Sequence, residues 1–154
     1  TVSFAETTYA PLPLKFEAGT QNFASVATLK PAIDFVNLLS ENRAGKYSDL
    51  VRDYLYDSLY NNPKIRLYGV PRGTEDEKIP VFSFSVDGVH HEDLALILDK
   101  MGIAVRSGQM CAEPLMERLG ITGALRASIA PYNTMQEAEY FIKSLSKAIR
   151  MLML

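Results

Sequence analysis

Cys111 is the only cysteine among 154 residues, and the residues around it are of the kinds that tune a thiol. It stands in the stretch Arg106-Ser107-Gly108-Gln109-Met110-Cys111-Ala112-Glu113-Pro114. A cation nearby and a helix N-terminus both favour the thiolate, which is the nucleophilic form of cysteine. The plainer alternative is that a lone cysteine serves as a small buried apolar side chain. The neighbouring Gly, Gln, Glu and Arg speak for an exposed loop instead. Arg126 is the second chemical candidate, set in a run otherwise made of Ala, Leu, Ser and Ile. A guanidinium in such a run needs an anionic partner or a route to solvent. That partner is either a carboxylate of this chain or a substrate carboxylate gripped by both arms of the fork. Arg106 has the same two readings, with an orienting role beside Cys111.

Two further stretches carry polar chemistry. Gly19-Thr20-Gln21-Asn22 opens a helical pattern, so free backbone N–H groups and a hydroxyl can hold a phosphate there. The same residues also suit simple helix capping by Thr20 or Asn22. His90-His91 begins another helix beside Glu92 and Asp93. Adjacent helical residues point in different directions, and no zinc-ligand spacing surrounds them. They are expected to be surface or capping residues, and no metal site is expected. Neither a P-loop, a glycine-rich dinucleotide fingerprint nor a Ser-His-Asp set can be assembled.

The elements that must position these residues follow from periodicity and punctuation. Ile103-Ala104-Val105 is apolar and β-branched, which predicts a strand ahead of the cysteine loop. Gly108 allows a sharp turn, and Pro114 suits the first turn of a helix whose Leu115, Met116 and Leu119 would face inward. Ala124 to Ala130 is a strand carrying Arg126. Upstream, residues 1–22 form an extended arm with Pro11, Pro13 and Gly19. Val26, Leu29, Ile33 and Val36 follow at helical spacing. Pro31 falls inside that pattern, so the helix either kinks there or starts late. A second helix is predicted over Tyr47 to Tyr60, with Leu50, Val51, Tyr54, Leu55 and Leu59 on one side. Strands are predicted at Ile65–Tyr68 and Val81–Val86, separated by a polar loop containing Pro71, Gly73 and Pro80. A helix from His91 to Met101 is stopped by Gly102. In the last helix Thr134 and Glu137 form a capping box, and Ala138, Phe141, Ile142, Leu145, Ile149 and Leu152 form one inward stripe. This order predicts an α+β domain, a mainly antiparallel sheet covered by helices.

Composition narrows the function classes. An apolar content of 47% and a charged content of 22% are ordinary for a globular protein. A net charge of −2 and a pI near 5.7 leave no electrostatic case for nucleic acid or an anionic membrane. One cysteine rules out an internal disulfide framework and suits a reducing compartment, so a cytoplasmic setting is expected. No apolar run approaches the ~20 residues of a membrane span.

The motif Arg-Ser-Gly-x-x-Cys-Ala-x-Pro-Leu-Met at 106–116 resembles the catalytic cysteine loop of Suf-type (group II) cysteine desulfurases and selenocysteine lyases. These belong to the class V aminotransferase superfamily and use pyridoxal 5'-phosphate. Phe16-Glu17-Ala18-Gly19-Thr20 resembles that family's Phe-Glu-Ala-Gly-Thr motif. Leu125-Arg126-Ala127-Ser128, followed by Tyr132-Asn133-Thr134, resembles its Arg-Ala-Ser strand. Order and spacing agree over nearly the whole chain. The resemblance departs in two places: Gln109-Met110 stands where the family often has His-His, and Gln21 where it usually has proline.

The resemblance implies the small C-terminal domain of the PLP-dependent transferase (aspartate aminotransferase-like) fold. Residues 1–22 would be an arm with a phosphate-binding motif, and 23–154 a single small α+β domain. The large domain that carries the Schiff-base lysine is expected to be absent, because neither Lys15, Lys30, Lys46 nor any later lysine has its Ser-Gly-His-Lys-like setting. The start at Thr1 fits such a piece, which alone is expected to be inactive. Cys111 would take sulfur or selenium from L-cysteine or L-selenocysteine, leaving L-alanine, and Arg126 would hold the substrate carboxylate with Arg106 near it. Gly19 and Thr20 would reach the cofactor phosphate, Thr20 that of the partner subunit in a homodimer. A sulfur-acceptor protein would then receive the persulfide for iron–sulfur cluster assembly. An aminotransferase or epimerase that keeps the arginine without needing Cys111, and a non-enzymatic sulfur-relay module with one exposed thiol, are the competing readings.

Overall fold

A computed structural model of the protein describes residues 1–41, 43–69 and 79–153. The chain divides into two compact units, Thr1–Leu39 and Ser40–Leu154.

The first unit begins irregularly, with a short 3-10 turn at Leu14–Phe16. The helical pattern beyond it is broken at Thr28 into α1 (Phe23–Ala27) and α2 (Leu29–Glu41). Proline decides where the break falls. Pro31 has no N–H to donate, and it occupies the first turn of α2, where that loss is harmless. The helix therefore starts late rather than kinking. Val26, Leu29, Ile33 and Val36 are all exposed.

The second unit holds the sheet. α3 (Arg43–Tyr60) leads to β1 (Ile65–Tyr68), and β2 spans Val81–Val86. The predicted loop residues Pro71 and Gly73 lie outside the described residues. After β2 come α4 (His91–Lys100), β3 (Arg106–Gly108), α5 (Glu113–Leu119), β4 (Ala124–Ser128) and α6 (Met135–Leu152). The strands form one antiparallel sheet in the order β1-β2-β4-β3. Phe82, Phe84 and Val86 of β2 and Leu125 and Ala127 of β4 are buried on one face. They form one core with Val51, Leu55, Tyr56 and Leu59 of α3, Leu94 and Leu98 of α4, and Phe141, Leu145 and Ile149 of α6. Each large apolar side chain buried there contributes about 1.5–3 kcal/mol against leaving it in water. The observed fold is the expected one, an antiparallel sheet with helices packed on its core face.

α6 starts as its sequence predicts. Glu137 N–H donates to Thr134 Oγ1 at 3.2 Å, and Thr134 N–H donates to Glu137 Oε2 at 2.7 Å. The inward stripe is also present, with Ala138, Phe141, Leu145 and Ile149 buried.

Four local expectations are corrected. Ile103–Val105 is not a strand. The chain leaves Gly102 at φ 75° and joins the ladder only at Arg106. A cleft of about 290 Å³, lined by Ala104 and Val105 on one side and Ala127 and Ser128 on the other, lies where further pairing would run. Apolar packing holds Ile103 and Val105 against the core without a ladder. In α3, Leu50 is 61% exposed, while Tyr56 takes a fully buried place beside Val51, Leu55 and Leu59. Leu115 of α5 is half exposed, and Met116 alone of that helix is buried. His91 is buried rather than on the surface, although His90 does cap α4 by accepting from Glu92 N–H at 3.4 Å.

Candidate functional site

Strand alternation decides which side chains share a face. Leu125 and Ala127 point into the core, so Arg126 between them belongs to the opposite face. Register then lines up one row across the sheet: Tyr68 opposite Ser83, Ser83 opposite Arg126, and Arg126 opposite Arg106. Tyr68 Oη and Ser85 Oγ share a hydrogen bond of 2.8 Å on that face. Among the described residues, no carboxylate pairs with Arg106 or Arg126. The reading of Arg126 as half of an internal ion pair therefore has no support among them.

β3 ends at Gly108, whose φ of 105° suits glycine and few other residues. A tight turn follows, closed by Ala112 N–H donating to Gln109 O at 3.0 Å. Its two central residues, Met110 and Cys111, have φ of 58° and 60°. Positive φ at both centres is the mark of a type I′ turn, which is normally built from Gly or Asn. Placing Met and Cys there costs about 1–2 kcal/mol for each residue. The turn lifts Cys111 to an exposed position. Arg106 Nη2 lies 3.8 Å from its Sγ, donating toward the sulfur. Gln109 Nε2 donates to Glu113 Oε1 at 3.4 Å, which ties the turn to the first residue of α5.

The expectation that Cys111 sits in a short loop between a strand end and a helix is met. α5 is only seven residues long, with Ala112 at its cap making no side-chain bond, so its dipole adds little. Arg106 is the cation that the fold brings to the sulfur. A cleft of about 310 Å³ opens beside the turn, bounded by Met110, Met116, Leu119, Ala124, Tyr68 and Ser83. Sequence reasoning missed Tyr68 and Ser83, because only the strand register puts them in the row of the arginines. The left-handed turn was also missed, since nothing in Met-Cys signals it.

Gly19 and Thr20 belong to the first unit. Gly19 has φ 75°, and a Cβ placed there would meet nothing within 4 Å. Thr20 is exposed, and its hydroxyl has no partner among the described residues. The capping role falls to Asn22, whose Oδ1 accepts from Ser25 N–H at 3.2 Å. A hydroxyl free of capping duty beside a left-handed glycine is a donor set that fits a phosphate. No group of three or more metal-ligating side chains occurs among the described residues. None of their helices is long and apolar enough to cross a membrane.

Relatives of known kind share this arrangement of elements. The probable cysteine desulfurase of Vibrio cholerae is 39% identical over 151 residues, which are 98% of this chain and 36% of that protein. The crystal structure of the cysteine desulfurase CsdA (S-sulfonic acid) from Escherichia coli superposes with a TM-score of 0.75 at 35% identity, covering 99% of this chain and 37% of that one. The apo structure of cysteine desulfurase from Thermococcus onnurineus NA1 gives a TM-score of 0.77 at 33% identity, with 99% and 37% covered. The chain thus spans about a third of the length of the curated relatives it matches, 34–36%. The family model described as aminotransferase class-V matches residues 1–141, and the chain belongs to that family.

Proposed function

We propose that this chain is the C-terminal part of a pyridoxal-phosphate-dependent cysteine desulfurase in which Cys111 receives the substrate sulfur. The observation that carries this reading is the contact between Arg106 Nη2 and Cys111 Sγ at 3.8 Å, with Arg126 directly across the ladder from Arg106. One nucleophilic atom and two guanidinium groups, without carboxylate partners among the described residues, then serve one face. That is a suitable arrangement for an amino acid that must present both a carboxylate and a sulfur.

The Thr20 hydroxyl and the backbone beside Gly19 would hold the cofactor phosphate. When bound, pyridoxal phosphate supplies the electron sink that weakens the substrate's carbon–sulfur bond. Arg126 grips the substrate carboxylate with its planar fork, fixing the distance from that group to the sulfur. Cys111, as its thiolate, attacks the substrate sulfur. A sulfur–sulfur bond forms and the carbon–sulfur bond breaks. The released electron pair stays on carbon and takes a proton, so alanine leaves and Cys111 retains a persulfide. Arg106 steadies the attacking sulfur by its charge. L-selenocysteine would take the same place with selenium as the atom attacked. The persulfide, on an exposed turn, would then pass to a sulfur-acceptor protein serving iron–sulfur cluster assembly.

The experiment is single turnover of the full-length protein with L-cysteine, following alanine and the mass of the Cys111 peptide together. One added sulfur on Cys111 for each alanine is expected, and Cys111→Ser should yield neither in stoichiometric amount. Alanine formed at the wild-type rate by the serine variant would sink the assignment.

A further inference from the structure

We propose that His91 is an acid-sensitive pin whose neutral, buried ring holds the connection Gly120–Gly123 and whose protonation loosens it. That connection joins the helix after Cys111 to the strand that carries Arg126. Gly120 ends α5 in a left-handed conformation, at φ 69°. Three residues on, Gly123 hands over to Ala124, which pairs with Gly108 at the base of the Cys111 turn.

His91 is 9% exposed. One side of its ring stacks on His90, with centroids 4.4 Å apart. Gly123 approaches so closely that a Cβ there would lie 2.8 Å from His91 Cδ2 and 2.9 Å from Cε1, and closer still to Nε2. Glycine is therefore required at 123 by contact rather than by backbone angle. Nδ1 is buried and has no hydrogen-bond partner among the described residues. A neutral ring tolerates this with its proton on Nε2. The imidazolium carries N–H at both nitrogens, and the one on Nδ1 would face no acceptor.

The charged groups near the ring are few. On its own helix they are His90 and Glu92. Across the adjoining cavity of about 280 Å³, Ser85, Val89, Ile121 and Thr122 bring no charge, and neither do the two glycines of the connection. Next to Ser85, the ladder sets Arg66 opposite it, and the Tyr68 phenol shares a hydrogen bond with its hydroxyl. Burial holds His91 below its ordinary value of 6.5, His90 pushes the same way, and Glu92 opposes them. A histidine depressed in the folded state costs nothing at neutral pH. As pH falls below about 6.5, the unfolded chain takes the proton first, and folding weakens until the folded value is reached. This inference is independent of the desulfurase reading.

The chain has only two histidines, so ring-labelled NMR resolves both, and His90→Gln assigns them. The expected result is a His91 signal that titrates below 6.5 and below His90. Amide protection over Gly120–Ala124 should fall in the same window while that of α6 holds. The folding constant from urea titrations should drop by up to about tenfold per pH unit in that window, and His91→Gln should flatten the drop. A His91 signal titrating at or above 6.5 would overturn the proposal, as would an acid-induced drop retained in full by His91→Gln. Should His91→Gln fail to fold, unchanged protection over Gly120–Ala124 in the wild-type chain would overturn it equally.

Discussion

Arg106 of β3 and Arg126 of β4 are direct cross-strand partners, so two guanidinium groups share one face of the sheet at its edge. Like charges directly opposite each other destabilise a ladder. Neither has a carboxylate among the described residues to offset that. An anion held between or beside them would offset that repulsion.

Replacing the fork at Arg126 by a point charge tests that role. On the proposed function, Arg126→Lys in the full-length protein should cost about 2–5 kcal/mol of transition-state stabilisation in kcat/KM for L-cysteine, the range for breaking a hydrogen-bonded charge pair. Charge is kept, so a structural role alone predicts little change. Steady-state alanine release measures it, and near-wild-type turnover would reduce Arg126 to a structural residue.

Cys111 is exposed in the folded protein. Iodoacetamide should therefore modify one thiol per chain under native conditions, to the same extent as in denaturant. Intact-mass measurement before and after urea checks this. Labelling that needs denaturant would mean that the turn is closed.

The left-handed turn makes its own prediction. Met110→Gly removes about 1–2 kcal/mol of backbone strain at φ 58° and loses a partly buried side chain in exchange. The two effects oppose each other, so the net change in unfolding free energy should stay within about 1 kcal/mol. Met116→Ala, which empties a buried place in the adjoining helix, should cost about 2–5 kcal/mol. Urea denaturation compares the two, and a larger loss at Met110 would contradict the strain argument.

The capping box of α6 carries a pH dependence. Thr134 N–H, then the Asn133 amide and the Thr134 hydroxyl, hold the Glu137 carboxyl below its usual 4.5. For a depressed carboxyl the stabilisation is present above the unfolded value and is lost as pH falls through the folded one. Stability should therefore decline below about 4.5, and Glu137→Gln should remove that part of the decline. Thermal unfolding midpoints followed downward from neutral pH measure it. A decline in the variant as steep as in wild type would place the acid sensitivity elsewhere.

Local pattern alone determined much of this protein. The β2 alternation of Phe82, Phe84 and Val86 with serines, the α6 stripe and the Thr134–Glu137 box are written in nearest-neighbour terms, because a strand repeats every two residues and a helix about every 3.6. The motifs around Gly19, Cys111 and Arg126 were likewise legible, being short and contiguous. Tertiary structure decided what depends on distant partners. Ile103–Val105 has the composition of a strand, but pairing needs a neighbour at the right distance, and a cleft lies where the ladder would continue. Leu50 and Tyr56 exchanged places because the face of α3 that meets the sheet is set by the sheet's position. His91 became buried because Gly123, far along the chain, leaves room for its ring and for nothing more. The row of Tyr68, Ser83, Arg126 and Arg106 exists only through strand register, which joins residues from β1, β2, β4 and β3 that no local window contains.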